Sequence, residues 1–322
     1  MLSPSPEALG WIGLILAIVA LLAVDLRVMS GRDGVMTPAF AAKASVFWIV
    51  LALAFGGLLW LASGPSDAST YIAGYLVEKS LSLDNVFVFL LLLGAFGIAD
   101  DDRHRLLTLG IVGALVLRGA FIVAGAAALG AFSWLNLVFA AILVWTGWRL
   151  WRHRHDHGSE EKMVEGIRDR LPIGDEDHGA KLIAREDGRR VLTAGGAALA
   201  GLILVDVLFA VDSVPAILAI TDDAFIVFAA NAFALMGLRP LFFLVADLVE
   251  RLYYLKAALA VLLVVIGAKM AIAHWVGKIG PEITLPAIAL VLGTGVVASL
   301  IRKQSDERAA PRPVSPSTVS GR

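Results

Sequence analysis

Residues 76–87 read LVEKSLSLDNVF, flanked by YIAGY (71–75) upstream and VFLLLLGAFG (88–97) downstream. Glu78, Lys79 and Asp84 thus stand in the middle of a long apolar run. A water-soluble core would expel them, and a lipid-facing helix could not tolerate them. Ionisable residues in such a place face a bundle interior, where they mark a functional site by default.

The surroundings support a membrane reading. The chain has 322 residues, 58% of them hydrophobic and 17% charged, with a mean hydropathy of +0.80. Soluble proteins sit near half apolar and a quarter charged. Apolar stretches long enough to cross a bilayer recur along the chain. They predict spans at 9–29, 44–63, 70–97, 105–129, 132–150, 191–220, 223–248, 254–275 and 283–301. The fold class is therefore an all-α polytopic membrane protein of about nine transmembrane helices, its transmembrane domain filling 1–302. Residues 151–190 form a charged loop outside the bilayer, and 303–322, rich in Pro, Ser and Arg, read as a disordered tail. No positive charge precedes the first apolar run, so that run reads as a retained span.

Lys and Arg favour the cytoplasmic side. With the N-terminus outside, 22 of the 27 basic residues fall in cytoplasmic segments and only Lys269 and Lys278 fall outside. Lys79, Arg118 and Arg239 lie within spans. The expected location is a plasma (inner) membrane, with the C-terminus and the 151–190 loop in the cytoplasm. A net charge of -1 leaves no basic stripe for nucleic acid, and the absence of cysteine excludes disulfides, zinc–thiolate sites, iron–sulfur clusters and thiol catalysis.

The opening stretch has a second copy. Glu78, Asp84, Asn85 and Val86 align with Asp206, Asp212, Ser213 and Val214. Downstream, Leu117-Arg118 with Phe121 aligns with Leu238-Arg239 and Phe242, and Gly147 with Gly267. Spans 3–5 (about 70–150) therefore resemble spans 6–8 (about 191–275). Units of three helices enter the membrane from opposite faces, which makes an inverted repeat with its site near the midplane.

Each unpaired carboxylate at the bilayer centre costs about 2.5–3.5 kcal/mol, so Glu78, Asp84, Asp206 and Asp212 need partners. Residues six apart lie about 120° apart on an α-helix. For both acids of a copy to reach one centre, the helix must be distorted at 78–85 and at 206–213. Pro215, which deprives the Val211 carbonyl of its helical donor, fits such a distortion. The expected ligands are Glu78, Asp84, Asn85, Asp206, Asp212 and Ser213, all hard oxygen donors suited to Mg²⁺, Ca²⁺ or Mn²⁺. Arg118 and Arg239 would pair with these acids or act as gates, and Lys79 would pair with another helix. Asp25 is a weaker candidate, or a topological flank. His153, His155 and His157 could hold a transition metal, though a solvated loop explains them more simply. There is no phosphate loop or Ser/His/Asp arrangement, so no enzymatic reading is expected and no cofactor is called for.

The stretches EKSLSLDNVFVF (78–89), DVLFAVDSVPAILAIT (206–221), NAFALMGLRPLFF (231–243) and KAALAVLLVVIGAKM (256–270) resemble the TerC/Alx family of integral membrane proteins. That family is similar in turn to the LysE-type transporter superfamily, built from inverted three-helix repeats. The resemblance covers about residues 10–300 and implies Mn²⁺ efflux, with tellurium resistance and metal loading of exported proteins as associated roles. The family's acidic positions fall on Glu78, Asp84, Asn85, Asp206, Asp212 and Ser213. The expected function is a secondary transporter exporting Mn²⁺ or a similar hard divalent cation, with proton exchange as its energy source. The alternative is a membrane scaffold with structural acids, meeting protein partners through loop 151–190.

Overall fold

A computed structural model describes residues 6–30, 37–152, 158–171, 182–186, 189–248, 254–276 and 280–309. The first five helices are α1 (Pro6–Ser30), α2 (Pro38–Ser63), α3 (Pro65–Ala95), α4 (Asp100–Ala131) and α5 (Leu135–Arg152). Within the long loop lie α6 (Gly158–Arg168) and an antiparallel hairpin, β1 (Ile183–Glu186) with β2 (Arg189–Leu192), in which Ile183 faces Leu192. The second half contains α7 (Ala194–Leu218), α8 (Ala224–Met236), α9 (Leu238–Leu248), α10 (Leu255–Val276) and α11 (Pro281–Ala309).

Local chemistry sets the boundaries. Gly64, at φ 97°, ends α2 in a backbone region that side chains avoid, and Pro65 then opens α3 with its preset φ. The Thr193 side chain accepts from the Gly196 N–H at the start of α7, and Asp223 accepts from the Phe225 and Ile226 N–H groups at the start of α8.

Among the described residues, seven helical segments are long and apolar enough to cross a bilayer. The expected spans that fall short of this are α3, which carries Glu78, Lys79 and Asp84 together, and α5, which is 18 residues long and ends in Arg149 and Arg152. The expected span at 223–248 is met by the apolar segment Ala224–Leu244, in which a one-residue interruption at Gly237 separates α8 from α9. Helix α11 continues to Ala309, into the stretch expected to be disordered; residues 310–322 lie outside the described residues.

Helix α8 is enclosed: of Ile226 to Met236 all but Phe228 are buried. Around it stand α1, α2, α3, α4 and α9. Their shared core includes Trp48, Tyr71, Leu92, Leu202 and Phe233, and it reaches Val164 and Ile167 of α6. Leu16 and Val19 of α1, and Val50 and Leu61 of α2, are exposed, as lipid-facing apolar residues are.

The most extensive pairing is α5 against α10, and it is reciprocal. A Cβ on Gly147 would stand 2.7 Å from the Ala260 carbonyl oxygen and 2.8 Å from Val264 Cγ2. A Cβ on Gly267 would stand 3.0 Å from the Ala140 carbonyl oxygen and 2.9 Å from Val144 Cγ2. Small residues let the two backbones touch. The matching positions (140 and 260, 144 and 264, 147 and 267) are all 120 apart in sequence, as in a contact across a local two-fold axis.

Candidate cation site at the helix midpoints

Tyr71, Tyr75, Glu78, Ser82 and Asn85 follow one another on α3 at steps of four, three, four and three, so they share one face. All five are buried. This polar stripe explains why α3 carries charge: it faces protein along its length.

Glu78 meets α4 and α7 through Arg118. The Arg118 Nη1 donates to Glu78 Oε1. Its Nη2 donates to Asp206 Oδ1 at 2.9 Å, and its Nε to the same oxygen at 3.2 Å. Arg118 and Glu78 are 0% exposed and Asp206 is 2% exposed. Ser82 Oγ donates to Glu78 Oε1 at 3.4 Å, while Glu78 Oε2 has no hydrogen-bond partner. One guanidinium thus bridges two carboxylates near the midpoints of three helices, which leaves one negative charge in excess.

Asp212 belongs to a different group. Thr146 Oγ1 of α5 donates to Asp212 Oδ1 at 2.8 Å. This pair lines a cavity of about 490 Å³ with Asn85, Ser213, Arg149 and Lys256. Ser213 Oγ is buried without a hydrogen-bond partner.

The six expected ligands are therefore divided. Glu78 and Asp206 meet on Arg118; Asn85, Asp212 and Ser213 meet at the cavity; Asp84 lies on α3 with its side chain outside the described residues. The expected distortion is not what the chain adopts. Both 78–85 and 206–213 are unbroken α-helix, and Pro215 is accommodated within α7. The six-residue step then turns Asp206 and Asp212 about 120° apart, the first toward α4 and the second toward α5. Among the described residues, no three His, Asp or Glu side chains converge to hold a metal. His153, His155 and His157 lie outside the described residues.

The remaining charges are placed singly. Arg239 Nη1 donates to Asp25 Oδ2 at 3.0 Å, which joins α9 to α1. Lys79 Nζ donates to the Ala234 carbonyl at 3.2 Å. That oxygen is among the last four of α8, where the break at Gly237 interrupts the helical ladder.

Three residues of interest escaped the sequence. Thr146 is one hydroxyl in an aromatic run, and Tyr75 reads as a core aromatic. Asn231 is 0% exposed, with neither amide atom hydrogen-bonded. The signal available for it was one amide alone in an apolar helix.

The chain resembles known proteins over most of its length. The model of the integral membrane protein TerC family matches residues 63–307. An uncharacterized membrane protein of Myxococcus xanthus is 42% identical over 299 residues, covering 91% of this chain and 92% of its own. A protein of Salmonella typhi named putative membrane-bound redox modulator Alx is 37% identical over 303 residues, covering 89% and 94%. An uncharacterized membrane protein of Rickettsia felis is 34% identical over 297 residues, covering 92% and 98%. No solved structure matches. With the family match running from the end of α2 to the end of α11, the chain belongs to the TerC family of integral membrane proteins.

Proposed function

We propose that the chain is a secondary transporter that exports a divalent metal cation, with Mn²⁺ the first choice among hard cations, in exchange for protons. The observation that carries this reading is the Glu78–Arg118–Asp206 cluster, sealed at the midpoints of α3, α4 and α7. Two carboxylates balance a divalent charge. Arg118 holds the cargo's place until an ion displaces it, and the Asp212 cavity is the vestibule from which the ion arrives. Proton exchange follows because the carboxylates must shed the ion on the far side, and protonation weakens their hold on it.

The inverted repeat is part of the proposal. The reciprocal Gly147 and Gly267 contacts support it. So do the helix pairings, in which α4 packs on α7 as α3 packs on α8. The basic residues support an N-out, C-in orientation in the inner membrane, which opens the vestibule to the cytoplasm beside Arg149 and Lys256.

Mn²⁺ flux into proteoliposomes tests the reading. Wild type should carry Mn²⁺, and Glu78→Gln, Asp84→Asn, Asp206→Asn and Asp212→Asn should each carry far less. Wild-type rates in all four would sink it.

The ordered α6 and hairpin favour a second reading, a scaffold that meets protein partners from this side. The name of the Salmonella typhi relative speaks of redox modulation. In a chain without cysteine, an influence of that kind would run through the cargo or a partner, not through its own thiols. Loss of cellular metal tolerance on deleting 172–181, with flux in liposomes intact, would favour the scaffold.

A further inference from the structure

Asn231 is the most anomalous polar group among the described residues outside the ion-paired cluster. It is fully buried, and neither its carbonyl oxygen nor its amino nitrogen is hydrogen-bonded. A buried polar group left without a hydrogen bond destabilises the fold. A leucine would remove that cost.

The neighbours of α8 fix where Asn231 points. Phe228 meets α4: a Cβ on Gly119, the residue after Arg118, would stand 3.0 Å from its Cε2. Ala230 and Ala234 meet α3: a Cβ on Gly74 would stand 3.3 Å from Ala230 Cβ, and Lys79 reaches the Ala234 carbonyl. At 100° per residue, Asn231 projects about 60° from the first direction and about 80° from the second. It therefore enters the wedge between α3 and α4, where Arg118 crosses to Glu78. The two contacts with α3 also show α8 running in the same direction as α3. Asn231 is then level with Tyr75, one turn from Glu78. Tyr75 OH and Glu78 Oε2 are the other unpartnered buried atoms of this wall. An amide, a phenol and a carboxylate oxygen, each without a partner, are thus within about one helical turn of one another in level along α3 and α8.

Resting on the transporter reading above, we propose that Asn231 is an uncharged oxygen ligand for the divalent cation that displaces Arg118, and that it sets the preference for divalent cargo. Glu78 and Asp206 already balance a charge of two. A hard cation such as Mn²⁺ still needs further oxygen donors to complete about six. A third carboxylate would hold the ion too firmly for release, so the added donor must be neutral.

The full chain in proteoliposomes, with Mn²⁺ as the probe, tests this through two readouts: the concentration dependence of flux, and the Mn²⁺-dependent rise in melting temperature, which needs no transport. Asn231→Leu should raise KM by about tenfold or more, lose the Mn²⁺-dependent rise, and melt at or above the wild-type temperature without metal. Asn231→Asp should keep the rise and lower the maximal rate. The ligand assignment is overturned by a wild-type KM and rise in Asn231→Leu. It is equally overturned if Asn231→Leu and Asn231→Ser both lose flux only in step with a lowered metal-free melting temperature. A wild type that binds Mn²⁺ but carries none overturns the transporter reading alone.

Discussion

Replacing Arg118 with methionine removes the one side chain that joins Glu78 to Asp206. Its guanidinium is fully buried and donates hydrogen bonds to both acids. Methionine fills much of the volume, so the cost is mainly electrostatic. Two carboxylates are left facing each other in a low-dielectric interior with no cation between them. Breaking a buried ion pair from one side costs about 3–5 kcal/mol. At about 2–4 °C of melting temperature per kcal/mol for a large domain, the variant should melt roughly 6–20 °C early. The assay is thermal unfolding of the purified full chain in detergent, followed by tryptophan fluorescence. Two rescues sharpen it. Adding Glu78→Gln and Asp206→Asn to Arg118→Met removes the stranded charges and should restore most of the loss. Adding Mn²⁺ supplies the missing charge and should stabilise by about 2.7 kcal/mol at a hundred times its dissociation constant. An Arg118→Met variant that melts with wild type would refute the electrostatic account of the cluster. Early melting that neither rescue corrects would show that Arg118 acts through packing instead.

Further outcomes concern the rest of the bundle. Gly147→Ala should destabilise by about 1–3 kcal/mol through overpacking against Ala260 and Val264, whereas Gly57→Ala, with nothing within 4 Å, should be neutral or stabilise by up to about 1 kcal/mol; equal melting of the two would contradict the glycine seam. Asp25→Asn leaves the buried Arg239 without its carboxylate and should cost about 1.5–3 kcal/mol in the same thermal assay. Thr146→Val removes the only hydrogen bond described for Asp212 and should change Mn²⁺ KM more than melting temperature; an unchanged KM would take Asp212 out of the ion's path.

The helices were legible because apolar runs of bilayer length have few other uses, and the four acids stood out against them. The break at Gly237 was not legible. NAFALMGLRPLFF is apolar on both sides of the glycine, so hydropathy runs through it unbroken. Periodicity gave the 120° step between Asp206 and Asp212, yet a step of that size fits two outcomes. Either the helix deforms to bring both acids to one centre, or each acid finds its own partner. Only the tertiary positions of Arg118 and Thr146 decide between them. For the same reason the arginines could be counted as counter-ions in advance, while the choice of Asp25 for Arg239 could not. Asp25 lies 214 positions away on a helix outside either repeat. Asn231 was the hardest to see, since its meaning comes from what it fails to touch.

The seam between α5 and α10 also bears on how such a sequence can change over time. Gly147 rests on Val264 and Gly267 rests on Val144, so a larger residue at either valine is felt first by the glycine on the other helix. Two stretches that touch through equivalent surfaces cannot drift apart independently. A substitution accepted in one constrains what its counterpart, 120 positions away, can become.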